Sequence, residues 1–298
     1  MSFPTVNATT GTFGGANTGS HTFTVPAGVT AGEKLLLFIA SYDGTGTADF
    51  STPAGWSVGF FGSQSGACLS VFERTSDGTE TSVVVTGTRA AIVSYGYILR
   101  VSGGADIEYT LKATQPSSAS VGFVTAPTIT PSWSGDTLYI VAGALARTAR
   151  VFNTDVTGYT AQSAMSNVDA QNRGVGLIVG HKQAASAAES PGDLEGGTYV
   201  DHVAVTMAIK AAPAPVPAVT TTDTLQPGTE FTLTATNYAS APVSPVTLTD
   251  TEGSTITVAV TISGSGPYTA VGTMPTIAEA VTAGTSLLFG DVTIELTT

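Results

Sequence analysis

The sequence predicts an all-β protein: a bipartite, jelly-roll-like β-sandwich followed by a small immunoglobulin-like β-sandwich. Three observations predict it. Threonine dominates the polar residues, as in Thr220-Thr221-Thr222 and the Thr232, Thr234, Thr236 alternation, and β-branched side chains suit a half-buried pleated surface. Charged residues make up only 11% of the 298, against roughly 25% in an average globular chain, so surface polarity comes from hydroxyls. Short apolar runs bounded by Gly, Pro, Asp and Ser recur along the whole length.

Residues 1–210 read as one bipartite domain with pseudo-repeats at about 20–105 and 125–210. Gly32-Glu33-Lys34-Leu35-Leu36-Leu37-Phe38-Ile39-Ala40 answers Gly135-Asp136-Thr137-Leu138-Tyr139-Ile140-Val141-Ala142 at a constant offset. At the same offset Gly55-Trp56-Ser57 answers Gly158-Tyr159-Thr160. Val71-Phe72-Glu73-Arg74 loosely answers Ile178 to Lys182, and Tyr97-Ile98-Leu99-Arg100 answers Met207-Ala208-Ile209-Lys210. The near-continuous apolar strands, Leu35–Ala40 and Leu138–Ala142, are expected at the centre of their sheets, buried on both faces. Ser82–Thr86 alternates and is expected to face water on one side. Helical signal is confined to a turn or two near Ala161–Asn167 and Ala184–Glu189.

Residues 211–218, Ala-Ala-Pro-Ala-Pro-Val-Pro-Ala, form a Pro-rich linker, because Pro fixes φ and biases its predecessor toward extended backbone. Beyond Lys210 there are seven acidic residues and no basic one. Residues 219–298 then read as the immunoglobulin-like domain. Strands are expected at Phe231–Ala235, Val246–Thr249, Thr255–Ile262, Leu287–Phe289 and Val292–Leu296, at the spacing of a sandwich. The Cys…Trp…Cys pattern of antibody domains is absent.

Charge and cysteine usage narrow the function. The net charge is −12, from 10 basic and 22 acidic residues without a basic cluster, which argues against nucleic acid and anionic membranes as partners. The longest apolar run, Leu35–Ala40, is far shorter than the ~20 residues of a membrane span. The single cysteine, Cys68, permits no intrachain disulfide, and the first residues show no basic-then-apolar secretory pattern. An extracellular type of composition without an export signal fits a product made in a host cytoplasm and released by lysis.

The order of short motifs carries a family resemblance. Pro26-Ala27-Gly28 precedes Gly32-Glu33, then come Pro53-Ala54-Gly55-Trp56, Phe72-Glu73-Arg74, and Ala90 to Arg100 followed by Ser102-Gly103. This order resembles bipartite β-sandwich domains of bacteriophage virion surface proteins of tail, fibre and head-decoration type. The C-terminal region looks like the immunoglobulin-like domains appended to such proteins. The second half departs from the pattern, with Tyr159 in place of Trp and no Pro directly before Gly158. The resemblance implies a non-enzymatic structural or adhesive role in the virion, with no cofactor and no catalytic residues. Implied partners are other virion proteins and further copies of the chain, a trimer being favoured. The larger domain is expected to dock and the acidic one to face solvent.

His21, His181 and His202 form no i,i+4 or His-x-His pair, and zinc needs three or four convergent ligands, so no metal site is expected. Gly135-Asp136-Thr137-Leu138 echoes a hydrolase motif but has Thr where the nucleophile belongs. Gly174-x-Gly176 leads into a strand and not a helix, so it fails as a dinucleotide loop. Asp43 with Asp49, and Asp193 with Glu195, are the carboxylate pairs that a glycosidase would need. They lie in Gly-rich loops, where solvated acids are the simpler explanation, and the Asp-x-Asp-x-Asp spacing of a calcium loop is missing.

The alternative function is a carbohydrate-binding module recognising host surface glycans. Sugar-binding sandwiches stack rings on exposed aromatics. Trp56, Trp133, Tyr42 and Tyr159 are available, and the matched positions of Trp56 and Tyr159 favour packing. Tyr42, in Ser41-Tyr42-Asp43-Gly44-Thr45-Gly46, is the expected exposed ring, with Asp43 and Asp49 as polar contacts.

Overall fold

A computed structural model of the chain describes residues 3–42, 50–64, 66–87, 92–115, 123–146, 156, 158–165, 174–195, 202–213, 218–220, 230–236, 246–250, 255–258, 260–263, 268–273 and 292–296. The described residues contain strands and turns and no α-helix. The chain divides into two compact units, Met1–Pro213 and Ala214–Thr298, with the division inside the Ala/Pro segment.

The first half of the larger unit has seven strands: β1 (Thr5–Thr18), β2 (Ser20–Thr24), β3 (Lys34–Tyr42), β4 (Ser57–Gln64), β5 (Ala67–Thr75), β6 (Ser82–Thr86) and β7 (Ile92–Ser102). The second half has seven more. They are β8 (Gly104–Gln115), β9 (Phe123–Thr125), β10 (Thr137–Ala146), β11 (Thr160–Met165), β12 (Val175–Ala184), β13 (Asp193–Glu195) and β14 (His202–Ala211). The first half builds a five-stranded sheet, β1-β7-β3-β5-β4, and a two-stranded ribbon, β2-β6. The second repeats it strand for strand, as β8-β14-β10-β12-β11 and β9-β13. All these pairs are antiparallel.

The two large sheets face each other. Leu36, Phe38, Ala40, Leu69, Val71, Tyr97, Leu99 and Val101 of one sheet share a single apolar core with Leu138, Ile140, Ala142, Leu177, Val179, Val205, Met207 and Ile209 of the other. Each sheet also buries its outer face beneath its own ribbon. Phe23, Val25, Val83 and Val85 cover Leu35, Leu37, Ile39, Phe72 and Ile98. In the second half Leu194 and Ala126 lie with Val141, Leu145 and Ile178. Four layers result, and β3 and β10 are third of five in their sheets. Their unbroken apolar sequence is explained by burial on both faces. The exposed–buried alternation of β6 is that of a strand with one wet face.

The structure departs from several of these expectations. At the constant offset Leu35 answers Leu138, but Leu35 belongs to the outer core and Leu138 to the inner one. Side chains alternate with a period of two, so a slip of one residue within a matched strand exchanges its faces. The Tyr97–Arg100 match keeps its faces: Tyr97 and Met207, and Leu99 and Ile209, all point inward. The helical turn expected near Ala161–Asn167 is strand β11 over 160–165, because its backbone pairs with β12. Tyr42 is corrected below.

The smaller unit has β15 (Ala218–Thr220), β16 (Glu230–Thr236), β17 (Val246–Asp250), β18 (Thr255–Val258), β19 (Val260–Ser263), β20 (Tyr268–Thr273) and β21 (Val292–Leu296). They form a four-stranded sheet, β15-β16-β20-β19, and a three-stranded sheet, β18-β17-β21. Counted along the described strands of this unit, the four-stranded sheet runs first-second-sixth-fifth, and the three-stranded sheet fourth-third-seventh. The single strand expected over Thr255–Ile262 is two, one in each sheet, and β20 is an addition. Leu287–Phe289 lies outside the described residues.

Candidate functional site

Among the described residues a polar concavity lies at the seam between the two large sheets. It is a cleft of about 260 Å³ lined by the start of β3 (Lys34), the start of β4 (Ser57), the end of β5 (Glu73, Arg74, Thr75) and the start of β8 (Ala105, Asp106, Ile107). These positions meet because the matched sheets stack with several strand ends in common.

Every charged group in the cleft has a partner within the fold. Lys34 Nζ donates to Thr75 Oγ1 at 3.0 Å, and Ser57 Oγ donates to the Glu73 carbonyl at 3.2 Å. Tyr109, on β8, donates its hydroxyl to Glu73 Oε2 at 3.2 Å, crossing from one sheet to the other. Burial and the neighbouring Glu73 carboxylate push the Tyr109 phenol well above its ordinary value, so it stays a donor. Tyr109 reaches Glu73 across Gly59, where any Cβ would overlap the hydroxyl and lie 2.5 Å from Cζ. Asp106 lies 3.6 Å from Lys210 Nζ. This arrangement can hydrogen-bond a polar group at its rim.

Beside the cleft the sheet ends are closed by a clasp that occurs twice. In the first half Arg74 meets Glu80 at 2.7 Å and Asp77 at 2.7 Å. Burial pushes the Glu80 carboxyl up, but Ser76, the Asp77 amide and Arg74 outweigh it and hold it at about 2. In the second half Lys182 meets Glu189 at 2.9 Å and lies 5.7 Å from the Tyr159 ring centroid. Over each cation sits the same turn: the Trp56 amide donates to the Pro53 carbonyl, and the Tyr159 amide to that of Val156. Gly55 and Gly158 sit in that turn at φ 77° and 79°, a left-handed conformation that favours glycine. Sequence reading matched the Gly-aromatic turns but missed the ion pairs. The available signal was the spacing of Arg74 and Glu80 against Lys182 and Glu189.

A third clasp, in the first half, anchors the entry to β3. Glu33 accepts from Arg100 at 3.0 and 3.1 Å, from the Thr30 amide at 2.7 Å and from Asn7 at 2.6 Å. Arg100 also donates to the Ala27 carbonyl. Burial pushes the Glu33 carboxyl up, yet these donors hold it at about 2.

The candidates named from sequence fall as follows. Tyr42 closes strand β3 and packs in the inner core at 6% exposure, so it offers no stacking face; the alternation that buries Leu36, Phe38 and Ala40 carries it inward too. Asp43 and Asp49 lie outside the described residues. Trp56 and Tyr159 pack against the outer cores, as their matched positions implied, and Trp133 does likewise. His21 is fully buried, 2.7 Å from Ser94 Oγ and edge-on to Phe50. His181 stands opposite Ile140 and His202 opposite Leu145, on opposite flanks of β10 and about 17 Å apart along it. Among the described residues no three His, Cys, Asp or Glu side chains gather as a metal site. Exposed Asp193 accepts from Thr125 Oγ1 at 2.7 Å, and Glu195 is placed by its backbone at the end of β13.

Comparison with protein-family models, curated proteins and solved structures finds no match.

Proposed function

We propose that the chain is a non-enzymatic structural protein of a bacteriophage particle, a head-decoration, fibre or tail-associated component. Its larger unit docks on the particle and its smaller, acidic unit is the projecting element. The observation that carries the reading is the duplicated sheet-plus-ribbon unit, stacked into four layers, in which Arg74, Arg100 and Lys182 clasp the sheet ends through Glu80, Glu33 and Glu189. Such a body presents broad faces and strand edges, the features used for docking by face or β-augmentation. The chain divides into its two compact units within the Ala/Pro sequence, a composition that favours an extended spacer. Repeated copies on a symmetric particle add weak contacts by avidity, which favours homo-oligomers.

The glycan-binding alternative loses Tyr42 as its stacking ring, since that ring is in the core. The test is sedimentation of particles from a lysate, followed by mass spectrometry of the particle band. The chain is expected in that band at fixed stoichiometry. Particles that lack it, while it stays in the soluble fraction, overturn the reading.

A further inference from the structure

The cleft at the sheet seam has two chemically different walls. By the alternation that turns Leu36 inward, Lys34 also faces the space between the sheets, as do Thr75 opposite it and Glu73 opposite Leu36. Ser57 stands opposite Glu73 and joins the same face. These four side chains make a polar wall. The facing wall, Ala105 and Ile107 of β8, is apolar. Strand β8 opens on Gly104-Ala105, which leaves room: a Cβ at Gly104 would lie 2.8 Å from Ile209 Cγ2 and 3.8 Å from Lys34 Cγ.

The duplicated half closes the matching corner. There Gln183 stands opposite Leu138, the first inward leucine of β10, as Glu73 stands opposite Leu36 in β3. Gln183 Nε2 donates across the seam to the Pro4 carbonyl at 2.8 Å and to Thr5 Oγ1 at 3.2 Å, at the entry to β1. Glu73 instead accepts from Tyr109, further along β8, and the start of β8 stays apart from it. One corner is sealed by the fold's own groups and the other is open. Lys34 has three N–H donors, and among the described residues it uses one, on the neutral Thr75 hydroxyl. Glu73 accepts from Tyr109 through Oε2 and keeps Oε1 as an acceptor.

We infer that the open corner is a saccharide subsite that takes one neutral hexopyranose ring. Neighbouring ring hydroxyls both donate and accept, so one edge of the ring serves Glu73, Lys34 and Ser57 together. The C–H face of the ring lies on Ala105 and Ile107. Charge disfavours simple ions: an anion meets Glu73 and the −12 of the chain, and a cation meets Lys34. The volume, about 260 Å³, is below the roughly 300–1,000 Å³ of drug-sized sites, so a single ring and not a chain lies within it. That ring is a free sugar or the terminal ring of a polysaccharide. The inference stands apart from the particle assignment, since a chain absent from particles would still bind the sugar.

The test is ligand-observed saturation-transfer NMR on the full chain. The probes are D-glucose, D-galactose, D-mannose and N-acetyl-D-glucosamine, each at roughly 20 mM, a level that detects millimolar affinity. At least one is expected to bind, whereas glycine, a zwitterion that would need two ion pairs, is expected to give no signal. Lys34→Met keeps the stem and removes the ammonium, and is expected to weaken binding about 10-fold or more. Ala105→Phe fills the slot and is expected to abolish binding. Thermal unfolding establishes that each variant is folded, and Lys34→Met alone decides should Ala105→Phe not fold. The α-methyl glycoside of the bound sugar separates the two sources. Affinity retained assigns the terminal ring of a polysaccharide, affinity lost assigns the free sugar, and either supports the site. No transfer to any of the four sugars, transfer to glycine, or undiminished binding by folded Lys34→Met overturns the inference.

Discussion

At the residue scale the larger unit is held by acid–base clasps within an otherwise weakly charged chain. Glu33 and Glu80 are 5% and 6% exposed, and each is held at about 2 by donors that favour the ionised form. In the unfolded chain a glutamate titrates near 4.3, so over this interval the unfolded state binds more protons. Their contribution is therefore complete above about pH 5 and is lost as pH falls through 4 toward 2. Thermal unfolding across that range is expected to show a flat midpoint above pH 5 and a steep fall below it. Glu33→Gln and Glu80→Gln are each expected to reduce that slope. Glu33→Gln also leaves Arg100 without its charge partner at 11% exposure, which costs about 3 kcal/mol at pH 7. A fall below pH 5 that is as steep in both variants as in the parent would refute the assignment.

At the scale of elements, the strands were legible and their facing was not. The duplicated strand set, the two-sided burial of β3 and β10, and the one-sided β6 all follow from apolar periodicity, which is a local property. The one-residue slip between Leu35 and Leu138 is not local. It depends on which inter-sheet space each strand fills, and two consecutive leucines satisfy either register. Tyr42 was misread for the same reason. Beside Asp43-Gly44 it looks like a loop residue, yet it continues the inward alternation of β3.

The contact between Gly59 and Tyr109 belongs to this scale too. Gly59→Ala forces Tyr109 off Glu73 and is expected to cost about 1–3 kcal/mol in denaturant unfolding. Tyr109→Phe alone removes one hydrogen bond to a carboxylate, worth about 1.5–3 kcal/mol. Because both changes act on one contact, the double variant is expected to lose less than the two singles added together. Strict additivity would show that the two positions do not share it.

At the scale of the whole molecule, the inner core is contributed by both halves, whereas each ribbon core belongs to one. A fragment ending at Gly103 would expose Leu36, Phe38, Leu69, Val71, Leu99 and Val101 to water, a patch larger than monomers tolerate. A fragment of residues 1–213 keeps both sheets. Calorimetry and size exclusion are expected to show cooperative unfolding for 1–213. For 1–103 they are expected to show either self-association or no transition. A stable, monomeric 1–103 fragment would mean that the inner core is not shared in the way described.

What the sequence determined by itself was the kind of surface each segment could make. Threonine-rich alternation made strands, unbroken apolar runs made central ones, and alternating Ala and Pro marked where one unit ends. Those properties follow from sterics and hydropathy within a few residues. Only the tertiary structure decided which faces meet: that Leu138 turns inward where Leu35 turns outward, that Tyr109 crosses to Glu73, and that Arg100 reaches Glu33. These depend on groups far apart in the chain arriving at one place, where burial removes the water that would otherwise satisfy them.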